Sequence, residues 1–419
     1  MVRKSLGMLM GVFLLCSCGA EGSSEGKVLL HVYSAKVATA EADPLANVEF
    51  VRLFSTGGGV NRSKLVQYTP KMSLSLDAIP FGENIQITVE GYTRDAVTGQ
   101  AGNLVSRGRT IPLDIYGGTT SQVIPVIMSR ISQFSVTTGV GINGTFPTSM
   151  TFGRVGHTVT KLNNGKILIA GGVSLLPQSG GMFRTWSDID QVFDTAEIYD
   201  PVTGIFTQIL DGMKRARAFH TATLLPDGQV LLAGGMTSIS GTIQTLKEVQ
   251  IFDPDSGIFA DPAPAPLEMS APRAGHTATL IDSAGRIVFA GGFELTNTGT
   301  QTSWNVIEVF DPTDGVIYTT AMNHGRYFHR AVKVPIGPDA SESVVFIGGE
   351  DNDTVLDTAE TFVLDPASVN AETIALNRGR TGHTATYVAN QGFVHVVGGF
   401  TDKARTSLVE PEYVVESLQ

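Results

Sequence analysis

The sequence predicts an all-β chain: a five-bladed β-propeller over residues 130–419, preceded by an antiparallel β-sandwich over 27–129. Three observations carry that expectation. Glycine supplies 47 of 419 residues while only 16% are charged, which suits short strands and tight turns and argues against long helices. The C-terminal part contains five segments that repeat in register. The N-terminal part carries strand-like runs spaced by about a dozen residues, with polar turns between them. The length itself makes two folded units the natural expectation.

The leader comes first. Arg3 and Lys4 form a positive region, and the apolar stretch Leu6 to Leu15 is too short to span a bilayer as a stable anchor. Residues 1–17 therefore read as a signal peptide. Its end, Leu15-Cys16-Ser17-Cys18, resembles the lipobox of bacterial lipoproteins, where a small residue precedes the cleaved bond and the next cysteine carries the lipid. Ser17 fits the small position and Leu15 does not, so the resemblance implies lipidation of Cys18. The alternative is an ordinary secretory signal with incidental cysteines. With Cys16 removed and Cys18 acylated, the mature chain keeps no free thiol, which excludes disulfides, cysteine nucleophiles and cysteine-ligated zinc. Residues 18–26, small and polar, read as a flexible tether. Lipidation implies a cell-envelope protein with a membrane as one partner. Gly19 does not match an Asp-type inner-membrane retention signal, which favours the outer membrane and leaves the side open. A net charge of −11 without a Lys/Arg-rich stretch excludes nucleic acid as a partner.

Within 27–129 the runs KVLLHVYS, NVEFVRLF, KLVQY, SLSLDAI, IQITVEGYT and SQVIPVIMS read as strands of a sandwich of immunoglobulin or transthyretin type. Ile79-Pro80-Phe81-Gly82 is similar to the turn of carboxypeptidase-regulatory-like domains of bacterial surface lipoproteins, which implies a spacer role. The segment VEGYTRDAVTGQ from Val89 echoes a motif of the later repeats and leaves a hidden sixth blade open.

The repeats begin at Arg154, Arg217, Arg273, Arg326 and Arg380, separated by 63, 56, 53 and 54 residues. Each opens Arg-x-x-His and runs through an apolar stretch to a double glycine, as in RAFHTATLLPDGQVLLAGG from Arg217. Second halves come after it in AEIYDPVTGIF, VQIFDPDSGIF, EVFDPTDGVIY and ETFVLDPAS, where Asp-Pro marks a type I turn. Each half reads as a β-hairpin, so a repeat supplies four strands, the content of one blade. The last repeat has only SLVEPEYVV before residue 416 and lacks a fourth strand; Ile131 to Thr137, ISQFSVT, is expected to complete it.

The double glycine, the aromatic before the Asp-Pro turn and the Arg-x-x-His-Thr opening resemble the kelch family and its galactose-oxidase-like relatives, over about residues 130–419. Kelch rings more often carry six or seven blades, so five is a departure. Residues that recur in every blade read as blade-building parts. His157, His220, His276, His329 and His383 are expected to bond neighbouring backbone, and Arg154, Arg217, Arg273, Arg326 and Arg380 to form inter-blade hydrogen bonds. A ring of five histidines binding a metal is the alternative, and no metal site is assigned. The resemblance to galactose oxidase stops at the blades, because its copper site needs a cysteine cross-linked to a tyrosine. No G-x-S-x-G, H-E-x-x-H or phosphate loop occurs, so no catalytic residue and no cofactor are assigned.

Recognition then falls to the variable loops. Connections after each double glycine lie on one face and are longest in the first three repeats. They contain Phe183, Arg184, Trp186 and Trp304, a hypothetical ligand surface, since exposed tryptophan gives contact area at little ordering cost. The alternative is that each tryptophan pins its own loop. Asp188, Asp190 and Asp194, and Asp351-Asn352-Asp353, read as solvated acidic loops rather than calcium sites, because neither fits the EF-hand pattern. The sequence thus predicts a non-catalytic module binding a protein or glycan; the alternative is a carbohydrate-active enzyme, a glycan hydrolase or oxidase, on the same scaffold.

Overall fold

The computed structural model of the chain describes residues 25–418 apart from 35–44, 57–61, 71, 81, 111–112, 116–118, 131–137, 142–143, 148, 177–185, 202, 240, 263–265, 296–300, 337–340, 364–367, 391, 405–406 and 410–414. The signal peptide, Cys18, the closing segment 131–137, Phe183 and Arg184 lie outside the described residues. Among the described residues the chain is all-β, with one three-residue 3₁₀ turn at Trp186–Asp188 and no α-helix. It divides into two compact units, residues 1–149 with 200–206, and residues 150–199 with 207–419.

The first unit holds an eight-stranded sheet and a separate two-stranded hairpin, Thr138–Gly141 with Gly144–Pro147. The order of the eight-stranded sheet is Ser63–Gln67, Phe50–Thr56, Gly82–Arg94, Ala101–Arg109, Thr119–Arg130, Glu25–Ser34 and Leu74–Pro80, with Leu113–Ile115 paired to Gly82–Arg94 off that path. All pairings are antiparallel except Glu25–Ser34 with Thr119–Arg130. Alternating residues of both ends of the order, Val51 and Leu53 at one and Leu74 and Leu76 at the other, enter a single core. The segment from Val89 is a hairpin inside this sheet, not a further repeat. Asp95 Oδ1 accepts the N–H groups of Val97 at 3.0 Å and Thr98 at 2.7 Å, and Gly99 closes the turn at φ +68°. Its likeness to the repeat turns reflects shared Asp-turn chemistry rather than shared architecture.

In the second unit each of the first four repeats forms a four-stranded antiparallel sheet in sequence order. The first comprises Thr158–Lys161, Ile167–Ala170, Ala196–Asp200 and Ile205–Gln208, and the second Thr221–Leu224, Val230–Ala233, Val249–Asp253 and Ile258–Ala260. The third comprises Thr277–Leu280, Ile287–Ala290, Val306–Asp311 and Gly315–Ala321, and the fourth Arg330–Ile336, Ser341–Ile347, Thr358–Val363 and Ser368–Ala375. The fifth repeat gives three strands, Thr384–Val388, Phe393–Val397 and Val415–Leu418. Its third strand begins where the SLVEPEYVV segment ends, later than the sequence suggested.

Consecutive sheets pack face to face. Leu168 and Ala170 of the first meet Val230, Leu232 and Phe252 of the second. Leu231 and Ala233 meet Ile287 and Phe289 of the third, whose Val288 and Ala290 meet Val344 and Phe346 of the fourth. Val345 and Ile347 then meet Val394 and Val396 of the fifth. Both faces of each middle strand are therefore covered, which is why VLLA and IVFA are uninterrupted apolar runs. The first strands of successive sheets are also neighbours.

The double glycines make these interfaces. A Cβ on Gly171 would stand 2.2 Å from the carbonyl oxygen of Arg217, and one on Gly291 the same distance from that of Arg326, both in the next repeat. The second glycine of the pair donates to the same carbonyl, Gly172 to Arg217 at 2.9 Å and Gly292 to Arg326 at 2.8 Å. At the fifth repeat Gly398 faces open space. Val159 on the first sheet and Val397 on the fifth are 61% and 40% exposed, so these two outer faces carry less cover than the interfaces between them.

Candidate functional site

The Arg-x-x-His segment precedes the first strand of every sheet. The arginine guanidinium stays within its own repeat, contrary to the expectation of inter-blade bonds. Arg154 Nη1 donates to Gly171 O at 2.8 Å and Thr195 O at 3.0 Å, and Arg326 Nη1 to Gly348 O and Thr358 O, both at 2.9 Å. Arg217, Arg273 and Arg380 bond the equivalent glycine carbonyls. It is the arginine backbone carbonyl that crosses to the preceding repeat. Fully buried carboxylates complete the sites of Arg154, Arg273 and Arg326 with Glu197, Glu308 and Glu360. In the second repeat Gln250 holds that place, and neither its Oε1 nor Nη2 of Arg217 finds a partner among the described residues. Burial there lowers the Arg217 pKa to about 10.

Three of the histidines, His220, His276 and His329, link repeats through threonine hydroxyls. Thr158 Oγ1 lies 2.9 Å from His220 Nε2, Thr221 Oγ1 3.0 Å from His276 Nε2, and Thr277 Oγ1 2.9 Å from His329 Nε2. Burial, helped by the neighbouring arginines, pushes His220, His276 and His329 well below the ordinary histidine value, and His383 to about 3. They are neutral at physiological pH. The threonine relay ends at the fourth repeat, where Arg330 replaces the threonine and donates from Nε to His383 O at 2.7 Å.

These segments converge on one cavity of about 480 Å³, lined from all five repeats. The residue before each histidine is Gly156, Phe219, Gly275, Phe328 or Gly382, and all five share a left-handed backbone, φ +67°, +53°, +63°, +53° and +66°. Head-to-tail amide bonds join four of them: Phe219 N to Gly156 O at 2.7 Å, Gly275 N to Phe219 O at 2.8 Å and Phe328 N to Gly275 O at 2.9 Å. The two phenylalanine rings fill space above the glycines, since a Cβ on Gly156 or Gly275 would stand 2.9 Å from the Phe219 or Phe328 ring. Their own centroids are 5.7 Å apart. Sequence reasoning did not single out this position; its alternation of Gly and Phe, and the Arg330 that breaks the Thr pattern, were the available signals.

Of the loop residues proposed from sequence, Trp186 and Trp304 are described and take different places. Trp304 donates its backbone N–H to Gly292 O and its indole N–H to Pro272 O at 3.2 Å. Phe193, Leu246, Leu356 and Val409 make the same backbone bond in the other repeats, so Trp304 occupies a repeat position. Trp186 packs on Phe219 and Phe293, with centroids 5.8 and 5.1 Å away, and its Nε1 lies 3.4 Å from Gln301 Oε1. It packs the first loop against the second and third repeats. The loops themselves are two-stranded hairpins: Val173–Leu175 with Ile189–Val192, Met236–Ile239 with Thr242–Thr245, and Phe293–Leu295 with Gln301–Ser303. A second cavity, about 500 Å³, opens among them beside Trp186, Asp190, Gly241, Ile243 and Leu295.

The loop at Asp351 serves as a turn, while Asp190 lies in the strand Ile189–Val192 and accepts from Ser174 Oγ at 3.3 Å. Asp351 Oδ1 accepts the N–H groups of Asp353 at 2.7 Å and Thr354 at 2.6 Å, while Asn352 Oδ1 accepts that of Ser303 at 2.8 Å. Among the described residues no group of three or more His, Cys, Asp or Glu is arranged to hold a metal ion.

No family model matches the chain, and no curated protein matches it. Among solved structures the chain is similar to one titled "Structure of YjhT", with 13% identity over 80% of this chain and 94% of that one and a TM-score of 0.44.

Proposed function

We propose that the chain is a kelch-type five-bladed β-propeller behind a β-sandwich, held to a cell-envelope membrane by a lipid on Cys18, and that it binds a protein or glycan without catalysis. The observation that carries the reading is the convergence of equivalent residues from all five repeats on one cavity, beneath the hairpins of the first three. Radial packing brings the first strands of all sheets around one axis, whereas a linear stack would hold the first and fifth repeats apart. Face-to-face packing of consecutive sheets supports the same arrangement. The recurrent Arg, His and Gly are consumed in joining strands and sheets, which leaves the variable hairpins and the two cavities for recognition.

The test uses the mature chain on glycan and cell-surface protein arrays, with hydrolysis and oxidation assays on every hit. Binding without turnover is expected; metal-dependent turnover of a bound glycan would replace this reading with that of a carbohydrate-active enzyme. Lipid attachment is checked separately by incorporation of labelled palmitate, expected in the wild type and lost in Cys18→Ala.

A further inference from the structure

The shared cavity has one formal charge among its described lining residues, and that charge lacks a counter-ion. Four repeats place a threonine after the repeated histidine, Thr158, Thr221, Thr277 and Thr384; the fourth places Arg330. Its side chain lines the cavity. Nε is spent on His383 O, and the remaining four N–H groups of the guanidinium have no partner among the described residues. The cavity histidines do not add charge, because burial keeps them neutral. Arg330 is solvent-exposed at the cavity's edge, and a guanidinium with one donor used and the others open is suited to a planar carboxylate, which takes two parallel N–H···O bonds.

A second, independent observation concerns Phe219 and Phe328. Both sit at φ +53°, a conformation that strains a side-chain-bearing residue. Gly156, Gly275 and Gly382 hold the same conformation in the other repeats without that strain. The two rings, partly exposed, line the same cavity as Arg330 and give it apolar wall beside a cation. Its volume of about 480 Å³ lies in the range that encloses ring-sized ligands.

We infer that this cavity is a binding site for a small carboxylate carrying a six-membered ring, with the carboxylate on Arg330 and the ring against Phe219 and Phe328. The inference rests on the reading of the chain as a binding module and names the ligand class of one of its cavities. An aromatic acid and a sugar acid share this chemistry, and the test separates them.

The experiment is titration calorimetry of the mature chain with sodium benzoate and sodium D-glucuronate, against benzyl alcohol and D-glucose as uncharged counterparts. At least one carboxylate is expected to bind and its counterpart not, with affinity falling as salt rises. Arg330→Thr restores the residue of the other repeats and gives His383 the hydroxyl its counterparts have, so it should melt at or above the wild-type temperature. It is expected to weaken carboxylate binding at least tenfold; Arg330→Lys, which keeps the charge and loses the fork, should fall between. Wild-type binding of neither carboxylate, or unchanged binding in Arg330→Thr, overturns the inference. In that event a ligand found on the arrays would leave the binding-module reading standing. Conversely, a carboxylate that binds through Arg330 and is turned over would keep the site and remove the non-catalytic reading.

Discussion

Arg217 is the clearest place where one residue departs from its counterparts Arg154, Arg273 and Arg326. Its guanidinium is fully buried, yet Gln250 stands where Glu197, Glu308 and Glu360 neutralise the arginines of other repeats. A buried charge without its partner is costly, and a charge-assisted hydrogen bond recovers about 1–3 kcal/mol. Gln250→Glu is therefore expected to raise the thermal midpoint, measured by calorimetry at neutral pH. Glu308→Gln should lower it by a similar amount, because it recreates the second repeat's defect in the third. The recurrence of arginine was legible in the sequence, but its direction was not. Spacing alone does not tell whether a side chain turns back to its own repeat's glycine carbonyl or reaches across to the next. The φ of Phe219 and Phe328 was equally hidden, since an aromatic in a left-handed conformation is visible only beside the glycines it aligns with.

At the level of the element, the double glycine is a joint whose stringency depends on whether another repeat packs against it. Gly291 at φ +63° would put a Cβ 2.2 Å from the Arg326 carbonyl, while Gly398 at φ +70° meets open space. Gly291→Ala is expected to cost about 3 kcal/mol or more, from backbone strain together with a clash that backbone cannot easily relieve. Gly398→Ala should cost only the strain, about 1–2 kcal/mol. Equal losses in chemical denaturation would show that the interface plays no part. Most strands were readable because their faces are: VLLA and IVFA are buried on both sides, and apolar runs bounded by turn residues mark them. Ala101–Arg109 was not readable. Its sequence AGNLVSRGR has no apolar alternation, and it forms a strand because Gly82–Arg94 and Thr119–Arg130 lie on either side. The post-glycine hairpins were seen as loops for a related reason, since Met236–Ile239 and Thr242–Thr245 bury little but their bases.

For the molecule as a whole, the histidines link folding to pH. His220, His276 and His329 have native pKa values far below the ordinary 6.5, and His383 falls to about 3, through burial and neighbouring arginines. Above pH 6.5 neither folded nor unfolded chain protonates them, and their contribution to stability is complete. Below pH 6.5 the unfolded chain takes up protons that the native state refuses, so stability is lost as pH falls from there toward the native values. Each such histidine removes up to about 1.4 kcal/mol per pH unit across that window. The thermal midpoint is therefore expected to fall steeply between pH 6.5 and 5, before the carboxylates titrate. A midpoint constant over that interval would mean that the histidines are solvated in the native state.

The sequence by itself determined the all-β class, the five repeats, their strand-turn-strand grammar and the separateness of the N-terminal strands. These are local properties: turn residues fix φ, and apolar periodicity declares which faces are buried. Tertiary structure alone decided which carbonyl each arginine meets, that histidines join sheets through threonine hydroxyls, and that Trp186 and Trp304 hold unlike posts. It also brought Phe219, far away in the chain, to the same cavity as Phe328 and Arg330. Those outcomes depend on how strands and sheets face one another, across more than fifty positions for the histidine–threonine pairs and fewer within a repeat, a relation that no local pattern encodes.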